Sequence, residues 1–202
     1  MQRLVVLISG SGSNLQAIIN ACDRGEIPAR IVGVISNKPD AYGLERARNA
    51  GLPALVKVKK KDQDRREYDR ELAEAATSFQ PDWIILAGWM RLLSSDFLNC
   101  FPGRVINLHP ALPGAFPGTH AIERAFEAFQ RGEIQHTGVM VHFVPDEGVD
   151  DGPVLAVEKV PVYAGDTLET LEQRVHQVEH RLLVQVIRQL TLEGSKFNEK
   201  EI

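Results

Sequence analysis

Short apolar runs alternating with amphipathic stretches of helical length constrain this chain more than any other feature. Strand-like runs at 3–9, 30–36, 54–58, 82–87 and 104–108 are separated by helical patterns at 14–22, 43–50, 66–78 and 95–100, with a further helix at 120–131. Strands joined by helices pair in parallel, and a parallel sheet is covered on both faces because its crossovers lie there. After Thr137 the rhythm changes. The runs 138–144 and 154–162 are joined by an acidic loop too short for a crossover helix, so they pair antiparallel or diverge. A last helix is expected over 167–190, its start marked by the Thr167 hydroxyl with Glu169 and Glu172 behind it. The expected class is α/β, a mostly parallel sheet with helices on both faces and an antiparallel C-terminal portion.

A chain of 202 residues supports one sizeable core, and we expect a single domain over 1–192, with halves 1–103 and 104–192, followed by a polar tail over 193–202. Its formal charge of -4 gives no whole-molecule reason to bind nucleic acid. The one basic run, Lys57, Lys59, Lys60 and Lys61, is followed at once by Asp62 and Asp64 and reads as a solvated loop. Cys22 and Cys100 make no multi-bridge framework and no Cys-x-x-Cys pair, which fits a reducing compartment. The apolar run 4–8 is too short to span a bilayer and lacks a cleavage signal, so a cytoplasmic protein without a membrane partner is expected.

In open parallel sheets, ligands bind beyond the carboxyl ends of the strands, where loops gather and helix N-termini point. Strand one ends in Ser9-Gly10-Ser11-Gly12-Ser13-Asn14-Leu15 and a helix follows. Glycines admit close backbone approach, while free helical N–H groups and the hydroxyl and amide side chains offer donors, so a phosphate suits this turn. A dinucleotide suits it less, because Leu15 replaces the third glycine of G-x-G-x-x-G and strand two ends in Ser36-Asn37 without an acid. The plainer reading is a glycine turn capped by Ser13 or Asn14.

Strand five ends in Asn107-Leu108-His109-Pro110. Residues two apart on a strand point the same way, so an amide and an imidazole share one side of its carboxyl end, and Pro110 halts the ladder. Such a pair suits acyl transfer: the amide donates to a developing oxyanion and the histidine moves a proton. A partner is available in the loop 145–153, which holds Asp146, Glu147, Asp150 and Asp151. Neighbouring carboxylates there raise one another's pKa or attract a cation, although the spacing does not match an EF-hand loop. The plainer readings are a structural histidine and a solvated hairpin loop. His120, His136, His142, His176 and His180 show no metal-binding spacing, so no metal is expected.

Together the segments VVLISGSGSNLQAII, SNKPDAYGLERARNAG, REYDRE, PDWIILAGWMRLLS, RVINLHP, FPGTHA, VHFV, DEGVDDGP and RVHQVEH resemble the folate-dependent phosphoribosylglycinamide formyltransferases, in order and over nearly the whole chain. The resemblance implies a Rossmann-like formyltransferase fold and transfer of a formyl group from 10-formyltetrahydrofolate to the amino group of glycinamide ribonucleotide. The products are formylglycinamide ribonucleotide and tetrahydrofolate, and the pathway is purine biosynthesis. It assigns the substrate phosphate to Gly12, Ser13 and Asn14 and the amine end to Glu179. Folate would lie near Met90, Arg91, Leu92 and Leu93, beside Asn107, and against Asp146, Glu147, Gly148, Val149 and Asp150, with Arg65 contacting it. Asn107, His109 and Asp150 become the catalytic trio, Asp150 being preferred to Asp151 on its Asp-x-Gly-Pro ending. A protonated His109, kept so by Asp150, would share the oxyanion with Asn107. The partners implied are small molecules, with a homodimer left open. One departure stands out: the family's His-Pro-Ser-Leu-Leu-Pro is here His109-Pro110-Ala111-Leu112-Pro113-Gly114. Two relatives in chemistry, a formyltetrahydrofolate hydrolase and a methionyl-tRNA formyltransferase, are expected to carry an additional domain. A non-catalytic phospholigand sensor would leave Asn107, His109 and Asp150 without a task.

Overall fold

A computed structural model describes residues 1–193. Its elements run β1 (Gln2–Ile8), α1 (Ser13–Asp23), β2 (Ala29–Ser36), α2 (Gly43–Asn49), β3 (Ala54–Val56), α3 (Arg65–Thr77), β4 (Trp83–Leu86), α4 (Ser95–Leu98), β5 (Val105–His109), α5 (Ala121–Gln130), β6 (His136–Phe143), β7 (Val154–Pro161) and α6 (Leu168–Glu193). The strands form one seven-stranded sheet in the order β3-β2-β1-β4-β5-β6-β7. Pairing is parallel from β3 to β5 and antiparallel for β5 with β6 and β6 with β7. This is the mixed sheet expected from the change of rhythm after Thr137.

The period of two along each strand divides the core. Leu4, Val6 and Ile8 of β1, Ile85 of β4 and Ile106 and Leu108 of β5 pack with Leu15 and Ile18 of α1 and with Leu171, Val175, Leu182 and Leu183 of α6. The alternate residues Val5, Leu7, Ile84, Leu86 and Val105 pack with Tyr68, Leu72 and Ala76 of α3 and Phe97 and Leu98 of α4. A strand buried on both faces has no polar side, which is why β1 reads as a continuous apolar run. By the same alternation Asn107 and His109 take the side of Val105, facing α3 and α4.

Several boundaries moved. β5 runs one residue further than expected, because His109 still pairs with Met140 of β6. β3 stops at Val56; the Lys57 N–H reaches the Ser36 carbonyl and the basic run continues without strand pairing. α4 is a single turn. At the start of α6 the side chain reaching back is Thr170, in place of the expected glutamates: Thr170 N–H donates to Thr167 Oγ1 at 3.3 Å and Thr167 N–H to Thr170 Oγ1 at 3.0 Å. α6 ends beyond 190 because Leu190 and Thr191 are buried. Of the expected tail, 194–202 lies outside the described residues. No helix among the described residues is long and apolar enough to cross a membrane.

Candidate active site

The turn after β1 is built by glycine geometry. Gly12 is the N-cap of α1 in the left-handed region at φ 69°, and no side chain caps the helix, so the N–H groups of its first turn are left open. A Cβ at Gly12 would lie 2.5 Å from the Gly43 Cα, so only glycine lets the turn nest against α2. Arg46 of α2 backs the turn, its Nε donating to the Ser11 carbonyl at 2.8 Å and its Nη1 to Gln16 Oε1 at 3.2 Å. Ser13 opens onto a groove shared with Gln16, Arg46, Gln177 and His180. Asn14 is buried, and its Oδ1 meets no donor among the described residues. Glu179 is buried on α6, which packs on α1, and its carboxylate accepts from His176 Nδ1 at 2.5 Å.

The second opening is a cavity of about 300 Å³ at the ends of β4, β5 and β6. Leu86, Val144, Met90, Leu92 and Val149 supply apolar lining, while Asn107, His109, His142 and Asp150 bring polar groups to one side of it. An apolar slot with a few convergent polar groups is the form of a small-molecule site. Ser9 joins the two openings, its Oγ accepting from the Met90 N–H at 2.8 Å and its own N–H donating to the Gly88 carbonyl at 3.1 Å.

The loop after β6 delivers Asp150 with a left-handed backbone, φ 54°, a conformation that aspartate tolerates and that turns its carboxylate inward. Asp150 Oδ2 lies 3.2 Å from His109 Nδ1 and accepts from the Gly118 N–H at 2.8 Å. Asp150 Oδ1 accepts from Asn107 Nδ2 at 3.0 Å. Asp151 is exposed and takes no part in these contacts. Burial alone would push the Asp150 carboxyl up, but the Gly118 N–H and the charge of a protonated His109 hold it below the ordinary carboxylate value. His109 behaves oppositely. Burial lowers its pKa, and Asp150 and the Phe116 carbonyl, 3.1 Å from Nε2, oppose that without overturning it. Burial thus works against the imidazolium that the resemblance implies, while Asp150 works for it. The two ring nitrogens of His109 both face acceptors, so the ring can take a proton with both hydrogens already placed.

Met90, Arg91, Leu92, Leu93, Asp146, Gly148 and Val149 line the cavity together with Asn107 and Asp150. Arg65 and Glu147 do not line it. Glu147 Oε2 accepts from Arg65 Nη2 at 3.1 Å, and its Oε1 accepts from Arg66 Nη2 at 3.3 Å and from the Ser95 N–H at 2.9 Å, tying the loop to α3 and α4. His142 is the residue that sequence reasoning missed. A histidine inside an otherwise apolar strand, beside the strand bearing Asn107, was the available signal. Among the described residues no three His, Cys, Asp or Glu side chains converge as metal ligands.

Residues 2–187 match the family model described as formyl transferase. A phosphoribosylglycinamide formyltransferase of Schizosaccharomyces pombe is 50% identical over 199 residues, covering 93% of this chain and 96% of that protein. Its counterpart from Escherichia coli is 46% identical, covering 91% and 84%. The solved structure of glycinamide ribonucleotide transformylase 1 from Geobacillus kaustophilus is similar with a TM-score of 0.87 at 43% identity, covering 95% of this chain and 99% of that one.

Proposed function

The chain belongs to the formyl transferase family, among its phosphoribosylglycinamide formyltransferases, and from that premise we propose that the two openings bind two substrates and the residues between them move a formyl group. The reaction is transfer from 10-formyltetrahydrofolate to the amino group of glycinamide ribonucleotide. The observation that carries this reading is the meeting of Asn107, His109 and Asp150 on one side of an apolar cavity.

Gly12, Ser13 and Asn14 receive the ribonucleotide phosphate at the uncapped start of α1, and Glu179 faces the amine end. The apolar lining from Leu86 to Leu93 and from Val144 to Val149 fits the folate ring. When the amine attacks the formyl carbon, negative charge collects on the formyl oxygen, where Asn107 Nδ2 donates to it. In its neutral form His109 takes the proton the amine gives up. Its Nδ1–H then lies against Asp150, whose ionised carboxylate stabilises the imidazolium, and the proton passes on to the departing folate nitrogen. The attacking amine is itself a nucleophile, so the enzyme forms no covalent bond. Arg65 reaches the folate only by exchanging Glu147 for a ligand carboxylate, and Glu147 serves the folate site by holding the loop.

Mixing the protein with 10-formyltetrahydrofolate and following tetrahydrofolate release, with and without glycinamide ribonucleotide, tests this. Release only with the ribonucleotide is expected; release without it indicates hydrolysis, and none at all indicates a sensor. Asn107→Ala should lower turnover by about 10²–10³, the usual cost of one oxyanion donor.

A further inference from the structure

The proposed mechanism leaves one buried polar side chain of the site without a task. His142 is 2% exposed and stands directly across the β5–β6 ladder from Asn107, at the point where the register of β6 against β7 shifts. We propose that His142 is a positioning residue that fixes the amide plane of Asn107, and so decides which amide hydrogen the formyl oxygen meets. This rests on the reading of the site as a formyltransferase.

Donors and acceptors around the ring allow one arrangement. His142 Nδ1 lies 2.7 Å from the Phe143 carbonyl, which can only accept, so Nδ1 carries the hydrogen. In the neutral ring Nε2 is then a bare acceptor, and it lies 3.1 Å from Asn107 Nδ2 but 3.6 Å from Asp150 Oδ1. The Asn107 amide has two hydrogens, and the second goes to Asp150 Oδ1 at 3.0 Å. Turning the amide over would set its oxygen against the Asp150 carboxylate and the His142 lone pair, two repulsive contacts, so one orientation survives. The amide torsion of asparagine is otherwise broad. Because His142 Nε2 holds one hydrogen, the hydrogen facing Asp150, on the side shared with His109, is the one for which the formyl oxygen competes.

The test compares His142→Leu and His142→Gln, the latter returning an acceptor oxygen near the place of Nε2. His142→Leu should lower kcat about 10- to 10²-fold, short of the full loss of an oxyanion donor, with both KM values within about twofold. His142→Gln should recover most of that loss. Combined with Asn107→Ala, the leucine variant should be no slower than Asn107→Ala alone, because a residue acting only through Asn107 has nothing left to act on. Near-normal kcat in His142→Leu, equal damage in both single variants, or a multiplicative loss in the double variant overturns the proposal. A wild-type protein without transfer would sink the function itself, whereas normal wild-type transfer beside an unaffected His142→Leu overturns only the positioning role.

Discussion

At position 111, where the resemblance implies a serine, the chain has alanine. Ala111 is fully buried, so a hydroxyl there would need a buried partner, while the next side chain, Leu112, lies against Gly138 so closely that a Cβ on Gly138 would meet its Cδ2 at 2.2 Å. Gly114 carries φ 74°, which glycine adopts freely. The contacts among Asn107, His109 and Asp150 form without a hydroxyl at position 111. Gly12 has little freedom to change. Alanine there meets both a left-handed backbone and the Gly43 backbone, which no side-chain rotation relieves. Strain of about 1–3 kcal/mol should raise the KM for the ribonucleotide roughly 5- to 150-fold, with the KM for folate unmoved. Steady-state kinetics against each substrate in turn checks this, and a parallel rise in both constants would contradict it.

The loop after β6 and the helix α6 act as units. Glu147 fastens the outer side of the loop to Arg65, Arg66 and Ser95, and Asp150 fastens its inner side to His109, Asn107 and Gly118. A loop held at both ends gives its carboxylate a fixed place beside His109. On α6 the pair His176 and Glu179 has a consequence for pH. The hydrogen bond to Glu179 raises the His176 pKa, against burial and with the charges of Glu179 and Glu172. A histidine whose pKa is raised by folding contributes stability that is complete below its unfolded value of about 6.5 and is lost as pH rises through the folded value. Melting temperature should therefore fall more steeply above about pH 6.5 in the wild type than in His176→Gln. Thermal melts across that range decide it, and parallel curves would remove the pair from the account.

One sheet serves the whole molecule, with α1, α5 and α6 contributing to the core on one face and α3 and α4 on the other. The turn after β1 and the cavity lie at its carboxyl edge, on strands in the order β1-β4-β5, and the Ser9 to Met90 hydrogen bond joins them. Leu183, fully buried in α6, should on truncation to alanine cost about 2–5 kcal/mol. Denaturant melts followed by near- and far-ultraviolet circular dichroism should keep a single transition, since both faces share the strands; two separate transitions would show the faces to be independent.

Local periodicity was enough to place nearly every strand and helix, because alternation of two and of 3.6 is a property of neighbouring residues. It was enough also to place Asn107 and His109 on one side of β5, since the pleat does so in any strand. The choice of Asp150 over Asp151 drew on the resemblance, and the contact itself depends on a left-handed backbone at a loop end. His142 opposite Asn107, the engagement of Glu147 by Arg65 and Arg66, and the lowering of the His109 pKa by burial were not legible. Each depends on strand register, loop path or the depth of the site, and these are decided only when segments 35 residues or more apart in the chain pack together.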